Sequence, residues 1–269
     1  MSIKCDYHIH TIYCDGKNAP EDYVKAAIDK GYSVLGFSGH SYVDFDVEGS
    51  MFPENEDKYF NEISALKQKY ADKIEILCGI ELDCCSKLDT SRFDYVIGSM
   101  HYIKQGDSYY ALDISAELFR DILNKFYGGD FGALAKDYYD SVSHVVTKTN
   151  ASIIAHIDLV TKYEKVLGLK KDDRYYEAAF DAIKKLVKFN VPFEINYGII
   201  SRGHKDYPYN EDVLLKEINR LGGDIVINSD CHNAELFGNH YETAVDIAKR
   251  CGFEKQVVFI NGKKQYVEI

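Results

Sequence analysis

No basic surplus exists in this 269-residue sequence, where Lys+Arg number 32 against Asp+Glu 43, a formal net charge of -11. A protein that grips nucleic-acid polymers through their phosphates needs a basic face, and the acidic balance excludes that class. It equally disfavours docking on an anionic membrane leaflet. Long hydrophobic runs are missing too: none approaches the roughly 18 residues a membrane span requires. The opening Met-Ser-Ile-Lys-Cys-Asp-Tyr contains no apolar signal core, so a cytoplasmic location is expected. The seven Cys are odd in number and follow no framework spacing, which excludes a disulfide scaffold and fits a reducing compartment. The four Pro are scattered at 20, 53, 192 and 208, with no Pro- or Ser-rich linker, internal repeat or low-complexity tract. One domain spanning 1–269 is therefore expected, since barrels reach this length routinely. Tryptophan is absent while Tyr number 22, an imbalance to which composition assigns no role.

What is present is a recurring pattern, a short apolar run followed by a longer amphipathic segment. The runs are 3–9, 33–38, 74–82, 95–100, 152–157, 192–197 and 225–229. Helix-like stretches lie between them, at 19–30, 54–70, 175–189, 210–221 and 240–251. Pro20-Glu21-Asp22 reads as a first helical turn and Gly31 as its stop. The stretch 107–150 is less regular, with probable helices on either side of Gly128-Gly129, and 257–269 reads as a terminal strand or hairpin. Short strands alternating with helices imply an α/β chain of parallel βαβ units, and seven units suit a TIM-like barrel better than an open sheet.

The ionisable residues fall on this frame in order. His8 and His10 end the first run, His40 follows the second and Glu81 lies at the end of the third. His101 ends the fourth, His156 the fifth, and Asp230 with His232 the seventh. Carboxyl ends of parallel barrel strands share one face, where active sites form. Metal-ligating side chains from six strands would thus meet at one mouth, with Asp15 joining from the first loop. His8-Ile9-His10 and Asp230-Cys231-His232 each put two ligating side chains on one face, because strand residues alternate. An isolated His after a strand is commonly a core residue, but six of nine His at such positions form a pattern. Neutral imidazole with carboxylate suits Zn, Mn or Fe. His144 and His240, inside helical segments, read as structural.

These residues also carry a family resemblance. Asp6-Tyr7-His8-Ile9-His10-Thr11 followed by Cys14-Asp15-Gly16 resembles the opening motif of the polymerase and histidinol phosphatase (PHP) superfamily. Ser38-Gly39-His40-Ser41, Gly79-Ile80-Glu81, Gly98-Ser99-Met100-His101, Ala155-His156 and Ser229-Asp230-Cys231-His232 resemble its later motifs, in order. Gly39 and Cys231 depart from common forms, and neither is a ligand position. The resemblance implies a distorted (β/α)7 barrel with three divalent ions. It assigns His8, His10, Glu81 and Asp230 to one, Glu81, His101 and His156 to a second, and Asp15, His40 and His232 to a third.

Such a centre suits phosphate-ester hydrolysis, with attack by a hydroxide bridging two metals beside Glu81 and Asp230. Arg202 and His204 follow the sixth run on the same mouth; Arg202 could clamp phosphate oxygens, and His204 could bond phosphate or protonate the leaving alkoxide. Within the resembled family, a free-standing chain of this length is most similar to enzymes that release L-histidinol and phosphate from L-histidinol phosphate in histidine biosynthesis. The alternatives are a phosphodiesterase or nucleotide phosphatase of the same superfamily, and a non-catalytic metal-binding domain. Cys78, Cys84 and Cys85 read as structural rather than as a thiolate site. Asn196 reads as a support or substrate group, and Asp158 as a hydrogen-bond acceptor for His156. Tyr42, Asp44 and Tyr163 lie in loops that could reach the leaving alcohol.

Overall fold

In a computed structural model that describes residues 3–269, the seven expected runs each contribute a strand to one parallel sheet. In chain order the strands are β1 (Cys5–Asp6), β2 (Val34–Phe37), β3 (Glu75–Asp83), β4 (Tyr95–Ser99), β5 (Tyr102–Gln105), β6 (Ser108–Ala111), β7 (Ile153–Ile154), β8 (Phe193–Asn196), β9 (Ile225–Asn228), β10 (Lys255–Ile260) and β11 (Lys263–Glu268). The large sheet runs β1-β2-β3-β4-β7-β8-β9, each strand parallel to the next. Helices α1 (Pro20–Asp29) and α2 (Pro53–Lys69) follow β1 and β2, both opening on proline, whose missing N–H is harmless in a first turn. Among the described residues no helix is long and apolar enough to cross a membrane.

The sheet curls until β1 meets β9, and side chains complete the seam. Ile9 bridges Cys231, with His10 N donating to Cys231 O at 2.9 Å and Cys231 N to His8 O at 3.0 Å. Below that bridge, Tyr7 N donates to Asn228 Oδ1 at 2.9 Å and Ser229 N to Asp6 Oδ2 at 3.0 Å. The result is a nearly closed seven-stranded α/β barrel.

Two apolar layers follow from strand alternation. Cys5, Tyr7, Val34, Tyr95, Ile97 and Val226 fill the barrel, while Leu35, Phe37, Val96 and Ile227 face the helices. The antiparallel hairpin β10–β11 caps the lower end, where Phe259 N donates to Tyr7 Oη at 2.7 Å. Alternation breaks at two places. Tyr7 and His8 both turn inward, as do Ala155 and His156, while Ile9 and Ile157 return to the outer layer. A one-residue slip ends ladder pairing, as a bulge does, which accounts for β1 and β7 being only two residues long.

The irregular stretch resolves into the β5–β6 hairpin and three helices, α3 (Ala116–Tyr127), α4 (Phe131–Val142) and α5 (Val145–Thr149). The hairpin went unread because β6 is tyrosine-rich and mostly half-exposed, so it lacks a buried face. His144 and His240 lie at helix N-caps rather than inside helices, and both are exposed.

Gly79 shows how tightly the barrel is filled. A Cβ there would fall 2.3 Å from the Tyr95 ring, whose hydroxyl donates to Tyr7 O at 2.5 Å and Phe37 O at 2.9 Å. Overpacking of this kind costs about 1–3 kcal/mol. Gly79→Ala should lower the urea midpoint of unfolding by the corresponding amount, and an unchanged midpoint would refute this packing account.

Candidate metal centre

Glu81 lies at the focus of the barrel mouth. Its carboxylate is fully buried, and five imidazoles approach it from four strand ends, His8 and His10 sharing that of β1. Oε2 lies 3.2 Å from His8 Nε2, 3.5 Å from His10 Nε2 and 2.9 Å from His40 Nδ1. Oε1 lies 3.4 Å from His101 Nε2 and 3.3 Å from His156 Nε2. Asp230 Oδ1 stands 3.2 Å from His10 Nε2, and Asp15 Oδ2 stands 3.2 Å from His232 Nε2. All nine expected ligand residues therefore surround one mouth.

Their atoms form four overlapping groups: His10, Asp15, His40 and His232; His8, His10 and Asp230; His8, Glu81 and His156; His40, Glu81 and His101. The donor chemistry fits divalent ions. His8 Nε2, His10 Nε2 and both Glu81 oxygens are buried without hydrogen-bond partners, although buried polar atoms are normally satisfied. Lone-pair atoms that face one another across 3–4 Å need a cation between them or protons on the rings.

Without ions, His8, His40 and His101 favour the protonated ring. Burial alone would lower the His40 pKa, but the Glu81 and Asp15 carboxylates overcome it and raise it to about 10. His101 rises to about 9 against burial, driven by Glu81 and by its hydrogen bond to Asp83. His10 drops to about 3, through burial and repulsion from His232 and His40. Burial pushes Glu81 the other way, yet His40, His8 and His101 hold it well below the usual carboxylate range.

Local backbone features aim these groups. Asp230 has a left-handed φ of 48°, a conformation Asp tolerates better than most residues, as its strand gives way to the 231–232 segment. Gly16 folds the Asp15 loop so close over His10 that a Cβ would meet the His10 carbonyl carbon at 2.3 Å.

A second ring of buried groups holds the ligands. Glu194, fully buried, accepts from His8 Nδ1 at 2.6 Å, Asn228 Nδ2 at 2.9 Å, Asn196 Nδ2 at 3.0 Å and His156 N at 3.2 Å. Such a carboxylate fixes the imidazole tautomer and aims the opposite nitrogen at the mouth. Asp83 does the same for His101, with Nδ1 at 3.2 Å and the backbone N at 2.9 Å. Sequence reasoning missed both, although an acidic residue inside the apolar strand Phe193-Glu194-Ile195 was a usable signal. Asn196 proves a support group, bonding Asp230 Oδ2 at 3.0 Å as well as Glu194.

Arg202 reaches the centre. Its guanidinium donates to Asp230 O at 2.6 Å and Asp230 Oδ2 at 2.9 Å. His204 is not joined to any ligand by a hydrogen bond or ion pair among the described residues; its ring packs edge-on against Tyr163 at 5.9 Å. Burial, Lys162 and Arg202 lower its pKa. Asp158 does not hold His156. It accepts instead from Asn210 N at 2.8 Å, and His156 Nδ1 has no partner. Cys78 is core, while Cys84 and Cys85 lie in the turn after β3.

Beside the ligands opens a cavity of about 220 Å³, reached by Asp46, Glu48, Asp113, Tyr102, Ile114 and Lys162. Tyr42 and Asp44 do not line it. Tyr163 borders it indirectly, bonding Asp113 O at 2.6 Å alongside Lys162 Nζ at 2.7 Å. Sequence reading missed these residues, since nothing in the irregular 107–115 stretch announces that Asp113 turns to the mouth.

Residues 6–198 match the PHP domain family. The histidinol-phosphatase of Bacillus subtilis is 26% identical over 266 residues, covering 90% of this chain and 98% of that protein. A solved histidinol phosphate phosphatase from Lactococcus lactis, complexed with zinc, L-histidinol and phosphate, is 25% identical with a TM-score of 0.76, covering 97% of this chain and 98% of that one. A solved chain from Listeria monocytogenes reaches a TM-score of 0.79 at 20% identity, covering 89% and 99%, a likeness of fold.

Two outcomes are expected. Glu194→Gln removes the charge behind His8 while keeping its shape, so metal affinity should drop about 10–100-fold in a chelator competition; wild-type affinity would exclude this role. Metal ligation needs neutral imidazoles, so at pH 7 loading should release the protons that His8, His40 and His101 carry, about three per chain, and apparent affinity should rise with pH toward the raised pKa values. Calorimetry in buffers of different ionisation enthalpy measures this directly, and zero release would contradict the assignment.

Proposed function

The chain belongs to the PHP domain family, and from that premise we propose that it hydrolyses L-histidinol phosphate to L-histidinol and phosphate. The carrying observation is a juxtaposition. A ligand cluster that demands cations adjoins a cavity whose wall holds Asp46, Glu48 and Asp113, carboxylates outside the ligand set. An ester with an anionic head and a cationic tail matches both halves. The name and near-complete coverage of the Bacillus subtilis relative support the same reading, as does the zinc, L-histidinol and phosphate complex of the Lactococcus lactis neighbour.

His8, His10, Glu81 and Asp230 would hold one divalent ion, Glu81, His101 and His156 a second, and Asp15, His40 and His232 a third; zinc, manganese or iron suits these donors. Bound ions would make water nucleophilic near neutral pH and offset phosphoryl charge. Glu81 and Asp230 border the reacting centre as ligands. Arg202, already oriented by Asp230, gives its remaining N–H capacity to phosphate oxygens. Burial, Lys162 and Arg202 favour the neutral ring of His204, which suits a hydrogen bond to substrate. Lys162 closes the cavity wall beside Asp113.

The decisive measurement is kcat/KM for histidinol phosphate against phenyl phosphate and bis-phenyl phosphate with manganese or zinc. Histidinol phosphate should lead by at least about 100-fold, and Asp113→Asn should erode that lead by about tenfold, chiefly through KM. Parity with phenyl phosphate would leave only the chemistry standing, and faster diester turnover would overturn the phosphomonoesterase reading.

A further inference from the structure

Three residues beyond Arg202, on the segment between the short helix Gly198–Ser201 and the helix Asp212–Arg220, Lys205 is buried with a side chain only 1% exposed. Its ammonium donates to Thr161 Oγ1 at 2.6 Å and lies 3.3 Å from Glu164 Oε1 and 4.0 Å from Asp158 Oδ2. It sits over the rings of Tyr207 at 4.4 Å and Tyr209 at 5.4 Å. Burying a lysine is costly unless its charge is matched, so this arrangement requires a compensating partner network. That network exists: Lys171 lies 2.9 Å from Glu164 Oε2 and 2.7 Å from Glu211 Oε2, and Tyr207 bonds Glu164.

The placement joins two walls of the mouth. Thr161 and Glu164 belong to the turn that carries Lys162, on the cavity, and Tyr163, against which His204 packs. Lys205 belongs to the segment that carries Arg202. At its far end that segment is pinned to β8, where Tyr209 N donates to Asn196 O at 2.9 Å, and the Tyr209 ring lies 5.5 Å from the ligand His156. Between Arg202 and Tyr209, Lys205 supplies the buried charged tie to the opposite turn.

We propose that Lys205 is a positioning residue that sets the Arg202 segment against the 158–164 turn, and so fixes the guanidinium at the height where phosphate binds. The inference rests on the phosphate role given to Arg202 above. Lys205 itself touches no ligand of the metal centre and takes no part in the bond-breaking step.

A double-mutant cycle tests it, reading KM for histidinol phosphate, the inhibition constant of inorganic phosphate, metal content and Tm for Lys205→Met, Arg202→Ala and the pair. Lys205→Met should raise KM and the phosphate inhibition constant about tenfold with metal content unchanged, and kcat should change less than about threefold. In the Arg202→Ala background the same change should cost less than about twofold. Lys205→Arg, which keeps the charge, should recover part of the loss. Equal penalties in both backgrounds, or no penalty, would overturn the proposal. If Lys205→Met does not fold, Thr161→Val removes only the acceptor hydroxyl and enters the same cycle with the same expected non-additivity. An Arg202→Ala enzyme with unaltered phosphate inhibition would instead refute the phosphate role of Arg202, so the two failures are distinguishable.

Discussion

One buried carboxylate with five imidazole nitrogens within 3.5 Å is the constraint from which the rest of this structure follows. Glu81 offers two oxygens and no hydrogen-bond donor reaches either of them. Such an arrangement is unfavourable in an empty apolar barrel and favourable around divalent ions. Five rings can crowd one carboxylate when four strands, one of them carrying both His8 and His10, end at the same face. A closed parallel sheet supplies that geometry, and an antiparallel one, with its strand ends split between two faces, would not.

The same demand explains the irregularities. Regular alternation from Cys5 and Tyr7 would send His8 outward among the helices, and from Ile153 and Ala155 it would send His156 outward as well. The strands slip by one residue at Tyr7-His8 and Ala155-His156 instead. Each slip strands backbone groups, and buried side chains take them up. Asp6 accepts from His8 N and Ser229 N, and Glu194 accepts from His156 N. Burial pushes the Asp6 pKa up to about 7 even so, a sign that the seam is closed at the cost of a poorly solvated carboxyl. Ladder hydrogen bonds have been exchanged for ligand direction.

What the sequence revealed and what it hid divide along this line. The candidate ligands other than Asp15 are legible because each lies within three residues of the end of an apolar run, and such proximity survives in one dimension. The paired slips are not legible, since Tyr7-His8 and Ala155-His156 look like ordinary strand continuations. Glu194 and Asp83 were missed for a different reason: their role depends on which ring lies across the barrel, 186 residues away in the case of His8 and Glu194. Asp158 was misassigned by the opposite error, proximity in sequence to His156 taken as proximity in space. His204 likewise shares a loop with Arg202 but faces Tyr163 instead of Asp230.

The cations of the mouth share a feature that bears on how it works. Arg202 is held by Asp230 and Lys162 by the Asp113 carbonyl. Neither depends on substrate to find its direction, so the charges around an arriving phosphate are already oriented and little reorganisation is needed when charge moves. Each tether also occupies a local oxygen acceptor, within a chain whose formal charge is -11. The surplus of acid is not spread evenly: Asp46, Glu48 and Asp113 stand on the cavity wall beyond the ligand set. There they disfavour a polyanion and attract a compact ester with a cationic tail, so the acidic balance is, at the mouth, a means of choosing among phosphates.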